Sequence, residues 1–362
     1  MKAVRQHRDG SLEVGDVPTP SCPPGGVLVR VGACGICGTD VRAWHNGHRA
    51  ATEEIIPGHE IAGVVAEADD NALGLRVGDR VAIAPDVSCG ACHYCLSGLG
   101  HLCLKRRTIG VSGLDGGMAE YIALTLDVMR HGCVHRMPEG LDFADGVLAE
   151  TLSSVLACAE RLVLGQGSTV AVVGAGPIAC LHVNVLGGRG LRTILIGRSQ
   201  ARVDAARRVT RADAYLSGGV EMAGQGVLDA TDGLGADAVV IAAANPAAVA
   251  PAVALVRRRG QVVLFAGLAR EASRVALDLN TIHYDELTLF GSFSYPPAMH
   301  ELALDWIAAQ RVPARDYVTH RFPLDAVHDA YEVAGRGAGA LKVVIEPGGG
   351  ARTTSSEGGV LR

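Results

Sequence analysis

The first third of the chain is a succession of short apolar runs, each closed by Gly or Pro; 26–31, 60–66 and 80–84 are the clearest. Runs of that length between turn residues predict an irregular, mainly β region. The rhythm changes at about Ala149, where an Ala-rich amphipathic segment, 149–163, predicts a helix. It leads through a Gly-Gln-Gly turn into the wholly apolar strand 169–173. A glycine turn and a helix follow, then a strand at 193–197 and a helix at 199–209. Further on, the pattern predicts a strand at 238–243, a helix running to Arg258, and strands at 261–266 and 288–291. Strands alternating with helices make βαβ units and a parallel sheet. Strands apolar at every position, not at alternate ones, fit a sheet covered on both faces. Beyond about Pro297 helical segments resume, and 341–346 predicts a last strand. The expected division is therefore residues 1–148 together with 298–347 as one domain and 149–297 as the other. The tail, 348–362, is Gly, Ser and Thr with almost no apolar content, and is expected to be disordered and without chemistry.

Composition narrows the class. With 362 residues, 48% hydrophobic and 20% charged, the chain has material for two cores at roughly 100–200 residues per domain, which excludes a disordered protein. No apolar run approaches the ~20 residues of a membrane helix, and the polar, strand-like start predicts no secretory signal peptide, hence a cytoplasmic protein and no membrane partner. A net charge of -5 without a basic block argues against nucleic acid as a partner. Ten cysteines in such a chain favour metal ligation over a disulfide framework.

Four of those cysteines, Cys89, Cys92, Cys95 and Cys103, fall within fifteen residues. Four thiolates so spaced suit a tetrahedral Zn²⁺ with no open position, and thus a structural role for the lobe 86–104. His93 or His101 could replace one thiol. Cys37, in Cys-Gly-Ile-Cys-Gly-Thr-Asp, His59, in Pro-Gly-His-Glu, and Glu150, at the start of the 149–163 helix, each have an ordinary reading when taken singly. These are a buried thiol, a turn histidine and an acid favoured by the helix dipole.

Gly174, Gly176, Pro177, Ile178 and Ala179 follow a strand and open a helix, the context in which a glycine turn binds a dinucleotide. The first glycine allows the tight turn, the second lets the backbone approach a pyrophosphate at the helix N-terminus, and Ala179 permits close helix–strand packing. The end of the next strand reads Gly197, Arg198, Ser199, with Arg202 one turn on. An NAD enzyme usually offers a carboxylate there; a guanidinium and a hydroxyl suit a 2′-phosphate. NADP(H) is the expected cofactor, with NAD(H) as the alternative if Arg198 only stacks on adenine.

Together these motifs, with Gly-Asp-Arg-Val at 78–81, Gly-Gly-Met-Ala-Glu-Tyr at 116–121 and the terminal Leu-Lys-Val-Val, resemble the zinc-dependent medium-chain dehydrogenases, nearest the polyol and threonine dehydrogenase branch. The resemblance spans roughly residues 1–347. It implies a GroES-like mainly-β catalytic domain plus a Rossmann doubly wound parallel-sheet domain. It also implies two zinc ions per chain, the second held by Cys37, His59 and Glu150 with an open fourth position, Glu60 nearby, and Cys34 as a neighbour only. Ala244, Asn245, Gly267 and Ser292 become cofactor contacts, and Thr39 the first hydroxyl of a proton path. Arg42 stands where many relatives carry a histidine, so His45 is the alternative relay, and a cofactor phosphate is the alternative partner for Arg42. Trp44 and the His-Tyr-Asp-Glu run at 283–286 point toward a polyol, cyclitol or amino-cyclitol substrate, although Trp44 could simply pack. The family implies a homodimer or homotetramer joined through 290–295. A non-catalytic dinucleotide-binding redox sensor is the reading from another class, and an open zinc site argues against it.

Overall fold

The computed structural model describes residues 1–48, 52–337 and 339–348; all but the first residue of the predicted tail lies outside the described residues. The N-terminal region builds an antiparallel sheet from β1 (Val27–Ile36), β2 (Glu60–Ala68), β3 (Arg80–Ala84), β4 (Tyr121–Leu124) and β5 (Cys133–Arg136). Their inward side chains, among them Val29, Val31, Ile61, Val65 and Ile83, form one buried cluster. A helix, α1 (Gly38–Asn46), leaves the end of β1 and carries Cys37 at its N-cap.

A second helix, α2 (Leu148–Glu160), leads into a sheet whose strands all run parallel. Its elements are β6 (Thr169–Val173), α3 (Pro177–Gly188), β7 (Arg192–Ile196), α4 (Gln200–Arg207), β8 (Ala214–Leu216), β9 (Ala236–Ile241), β10 (Val256–Leu264) and β11 (Thr288–Gly291). The order across the sheet is β8-β7-β6-β9-β10-β11, with paired residues such as Val170↔Thr193 and Val172↔Val240. Every residue of β6 is buried, because one core cluster covers one face and a second covers the other. The order in which strands are added reverses between β6 and β9, and such a switch point opens a crevice at the carboxyl ends of the strands.

One predicted element moves. The helix expected to reach Arg258 is only Val249–Val253, and Arg257, Arg258 and Arg259 belong to β10. Arg257 Nε donates to Asp237 Oδ1 on β9 at 2.7 Å, and Arg259 takes φ +58°, so the cationic stretch is held along the sheet.

The chain beyond Pro297 divides its packing. Helix α5 (Ala298–Ala308) lies along α2 and adds Ala303, Leu304 and Ile307 to the core that α2 and α3 share. Strand β12 (Val318–Phe322), α6 (Val327–Arg336) and β13 (Lys342–Ile345) follow. β13 pairs antiparallel with β1, matching Val343 to Ile36 and Ile345 to Cys34, and β12 runs parallel beside it. The C-terminal strand therefore lies beside the end of β1 from which Cys37 projects.

Candidate active site

A cleft of about 630 Å³ lies between the carboxyl ends of β6, β7 and β9 and the end of β1. Its floor is the turn 174–179. Gly174 takes φ +129°, a backbone conformation that side chains strain, while a Cβ there would only touch Ala179 and the backbone at Ala242 and Ala243. Gly176 caps α3, and nothing lies within 4 Å of the position a Cβ would occupy, so bare backbone faces the cleft. Pro177 opens the helix with no N–H to leave unpaired. Arg198, Arg202, Ala244 and Asn245 also line the cleft, with Cys37, Thr151 and Lys342 contributed from the other side. Glu221 lines it too. Gly197 lies behind this wall against Val203, and the exposed Ser199 caps α4. Gly267 does not line the cleft, and Ser292, which is buried, is hydrogen-bonded to Cys158.

At the end of β1 the ligand atoms of Cys37, His59 and Glu60 lie within 4.8 Å of one another. The capping box of α1 fixes the first of these: Asp40 Oδ2 accepts from the Cys37 backbone N–H at 2.7 Å. The other oxygen of Asp40, itself buried, lies 3.3 Å from His59 Nδ1, close enough to attract it but not aligned for a hydrogen bond. Burial by itself would lower the His59 pKa, but the negative charge of Asp40, with Cys37 adding to it, raises it well above the usual value. Glu60 is wholly buried, and both of its carboxylate oxygens accept from Lys342 Nζ at 2.7 Å. Thr151 Oγ1 donates to Glu60 Oε1 at 3.0 Å. Gly35 stands opposite: a Cβ there would fall on the carboxylate.

Glu150 is placed differently. It lies outside that compact trio, and its Oε1 accepts from the Tyr295 hydroxyl at 3.1 Å. Burial pushes its carboxyl up to about 7, reinforced by the Glu60 charge and opposed by His59, Lys342 and Tyr295. Of the two carboxylates, Glu60 has a lysine on both oxygens and Glu150 has a tyrosine hydroxyl.

Residues 23–138 match the alcohol dehydrogenase GroES-like domain family, and residues 176–309 match the zinc-binding dehydrogenase family. The sorbitol dehydrogenase of Bacillus subtilis (strain 168) is 30% identical over 352 residues, covering 96% of this chain and 97% of that protein. This chain belongs to the zinc-dependent medium-chain dehydrogenases, in the polyol branch. Erythritol/L-threitol dehydrogenase of Mycolicibacterium smegmatis is 29% identical over 368 residues, covering 96% of this chain and 98% of that one. Among solved structures, a zinc-binding dehydrogenase from Sinorhizobium meliloti 1021 bound to NADP superposes with a TM-score of 0.84 at 30% identity, over 96% of this chain and 99% of that one. An alcohol dehydrogenase from E. coli CFT073 complexed with NADH has the same TM-score at 27% identity, over 96% and 99%. Membership of this family makes the protein a zinc-dependent oxidoreductase acting on CH–OH with a nicotinamide cofactor.

Elsewhere in the dehydrogenase the four thiols of the lobe converge. Cys92 Sγ is 3.5 Å and Cys89 Sγ 3.9 Å from Cys95 Sγ, and all four sulfur atoms lie within 4.8 Å of one another. A tetrahedral zinc with Zn–S bonds near 2.3 Å sets its sulfurs about 3.8 Å apart, so the loop has the shape of such a site. Backbone N–H groups of Cys95 and Leu104 lower the Cys92 pKa to about 6, and backbone N–H groups also lower that of Cys89. Burial raises Cys103 to about 11. No disulfide forms among the ten cysteines. His93 and His101 are not among the clustered groups.

Four residues around the site were not singled out from the sequence: Asp40, Thr151, Tyr295 and Lys342. Lys342 carried a signal, as the lone charge in the apolar run 341–345; Asp40 stood in a quoted motif; Tyr295 offered none. Trp44 packs edge-on against Tyr331, with ring centroids 5.7 Å apart, and does not line the cleft; neither does the exposed His45. Tyr284 is 75% exposed on the surface. Thr39 Oγ1 accepts from Arg42 Nη2 at 3.0 Å. Among the described residues no helix is long and apolar enough to cross a membrane.

Proposed function

We propose that this dehydrogenase interconverts a secondary alcohol and its ketone on a polyol, cyclitol or amino-cyclitol with NADP(H), using one catalytic and one structural zinc. The observation that carries the cofactor reading is the pair Arg198 and Arg202 lining the cleft beyond the glycine turn. Two guanidinium groups where a ribose-binding carboxylate would stand favour a 2′-phosphate. Glu221 on the same wall is the group that would favour the NAD(H) alternative.

Cys37 and His59 are assigned to the catalytic zinc with Glu150 as third ligand. Glu60 already has its charge matched by Lys342, whereas Glu150 is a partly buried acid without a cation on it, and a metal would match it. Asp40 holds the His59 ring in orientation from behind, as carboxylates commonly do for metal-bound imidazoles. Zinc in such a site supplies Lewis acidity toward the substrate oxygen and lowers the pKa of the hydroxyl. The chain supplies the rest. Gly174 and Gly176 present backbone and the α3 N-terminus to the pyrophosphate, and Thr39 takes the hydroxyl proton. Arg42 orients Thr39 but has no acceptor with which to receive that proton. It therefore leaves by His45 or solvent. Cys89, Cys92, Cys95 and Cys103 hold the structural zinc. The edge strand β11 is the proposed seam of a homodimer or homotetramer.

The test is fluorescence titration of the zinc-replete protein with NADPH and with NADH. NADPH should bind at least tenfold tighter, about 1.4 kcal/mol. Equal or tighter NADH binding overturns the NADP(H) reading and returns the enzyme to the NAD-linked polyol dehydrogenases.

A further inference from the structure

Away from the cleft, a third group of ligand-type side chains comes together. On β5, Cys133 and His135 are two residues apart and so project to the same face. They meet His300, in the first turn of α5. His135 Nδ1 lies 3.0 Å from His300 Nδ1 and 3.6 Å from Cys133 Sγ, and all three ligand atoms fall within 4.8 Å of one another. Cys133 is 3% and His300 1% exposed, while His135 is half-buried. The Cys133 thiol also faces the Pro297 carbonyl at 3.8 Å. The proposed chemistry of the dehydrogenase uses none of these side chains.

We propose that Cys133, His135 and His300 form a further metal site, one that takes a borderline divalent cation such as Zn²⁺ and ties β5 to α5. The spacing supports this. A tetrahedral zinc with Zn–N near 2.0–2.1 Å and Zn–S near 2.3 Å sets nitrogen–nitrogen about 3.3 Å apart and nitrogen–sulfur about 3.6 Å apart. The His135–His300 and His135–Cys133 spacings are within a few tenths of an ångström of those values, and Cys133 and His300 are within 4.8 Å of each other. The donor set points to the ion: one sulfur and two imidazoles suit zinc and disfavour Mg²⁺ or Ca²⁺, which require oxygen ligands. Burial lowers the pKa of both histidines, that of His300 to about 3, so both rings are neutral at pH 7 and each has a lone pair to give. Burial raises the Cys133 thiol, so binding would release its proton to solvent as the sulfur becomes a thiolate ligand. The half-exposed His135 leaves a route for the ion and for a water as fourth ligand.

The consequence is structural. β5 belongs to the antiparallel sheet, whereas α5 packs on α2 and its core, so an ion here would join the two layers. Tyr295, which donates to Glu150, stacks against His300 with ring centroids 6.5 Å apart, so the clamp would also steady that hydroxyl.

Zinc per chain, measured on the full-length protein after equilibration with micromolar free Zn²⁺, tests the assignment by difference. Wild type should hold one zinc more than H135Q and one more than C133S, and the loss should be the same in both variants. H135Q alters a half-exposed side chain, so it decides the matter if C133S fails to fold. Equal zinc in wild type and in the folded variants overturns the proposal, and the two imidazoles are then a neutral hydrogen-bonded pair. Because the readout is a difference, empty sites at Cys37 or in the cysteine lobe would lower the total without changing this result.

Discussion

Replacing Lys342 by methionine probes the charge balance at the heart of the site. Lys342 and Glu60 have side chains 4% and 0% exposed, and the ammonium lies 2.7 Å from both carboxylate oxygens. Two charges removed from water survive because each matches the other; removing one partner of such a pair costs about 3–5 kcal/mol. Thr151 would still donate to Glu60 Oε1, which places K342M toward the lower end of that range. E60Q leaves a buried ammonium unpaired and should cost a similar amount. The double variant E60Q/K342M removes both charges, so its loss should be smaller than the sum of the singles by about 2 kcal/mol or more. The assay is urea unfolding at pH 8 with zinc held constant, followed by fluorescence. Trp44 reports on α1 beside the site and Trp306 on α5. Strictly additive losses would show that the two groups do not sense each other, and the description of a closed, charge-matched centre would fail.

Other consequences can be checked independently. His182, in α3, is fully buried with no hydrogen-bond partner on either ring nitrogen, and burial holds its pKa at about 3. The unfolded chain takes up a proton below about 6.5 while the folded one refuses it, so stability is intact above that pH and falls as pH drops from 6.5 toward 3. Its share is about 1.4 kcal/mol per pH unit. H182L should flatten the pH dependence by that slope in urea titrations between pH 6 and 4, and an unchanged slope would refute the assignment. In chelator-treated protein at pH 7, mass spectrometry should find Cys92 alkylated by iodoacetamide well before Cys103, because only the former is largely thiolate. Zinc should protect both, and simultaneous labelling would contradict the lobe's electrostatics. The double variant R198A/R202A should weaken NADPH about 10- to 100-fold and leave NADH within a few-fold, as expected for charge-assisted hydrogen bonds to a phosphate. Equal weakening of both cofactors would remove the arginines from 2′-phosphate recognition.

What could be read from the chain alone was local. The strand 169–173 is apolar at all five positions, which is what a strand with helices on both faces requires, and β6 is buried throughout. Glycines between that strand and the following helix specify a turn because no other residue fits φ +129° without strain. Four cysteines within fifteen residues can be gathered by one short loop, so their convergence needs no distant partner. The zinc-dependent family and the two-domain architecture were legible for the same reason: their motifs are contiguous. The helix expected through Arg258 was not, since the arginines at 257–259 are drawn into β10 by Asp237 on the neighbouring strand.

The decisive contacts of the site span distances no periodicity reports. Glu60 meets Lys342 across 282 residues, because β13 returns to pair with β1. Glu150 turns to Tyr295 across 145, and His135 meets His300 across 165. Which carboxylate is neutralised and which is left for a cation depends on those returns. A buried charge takes its state from whatever the fold sets within a few ångströms of it, and only the tertiary structure determines that.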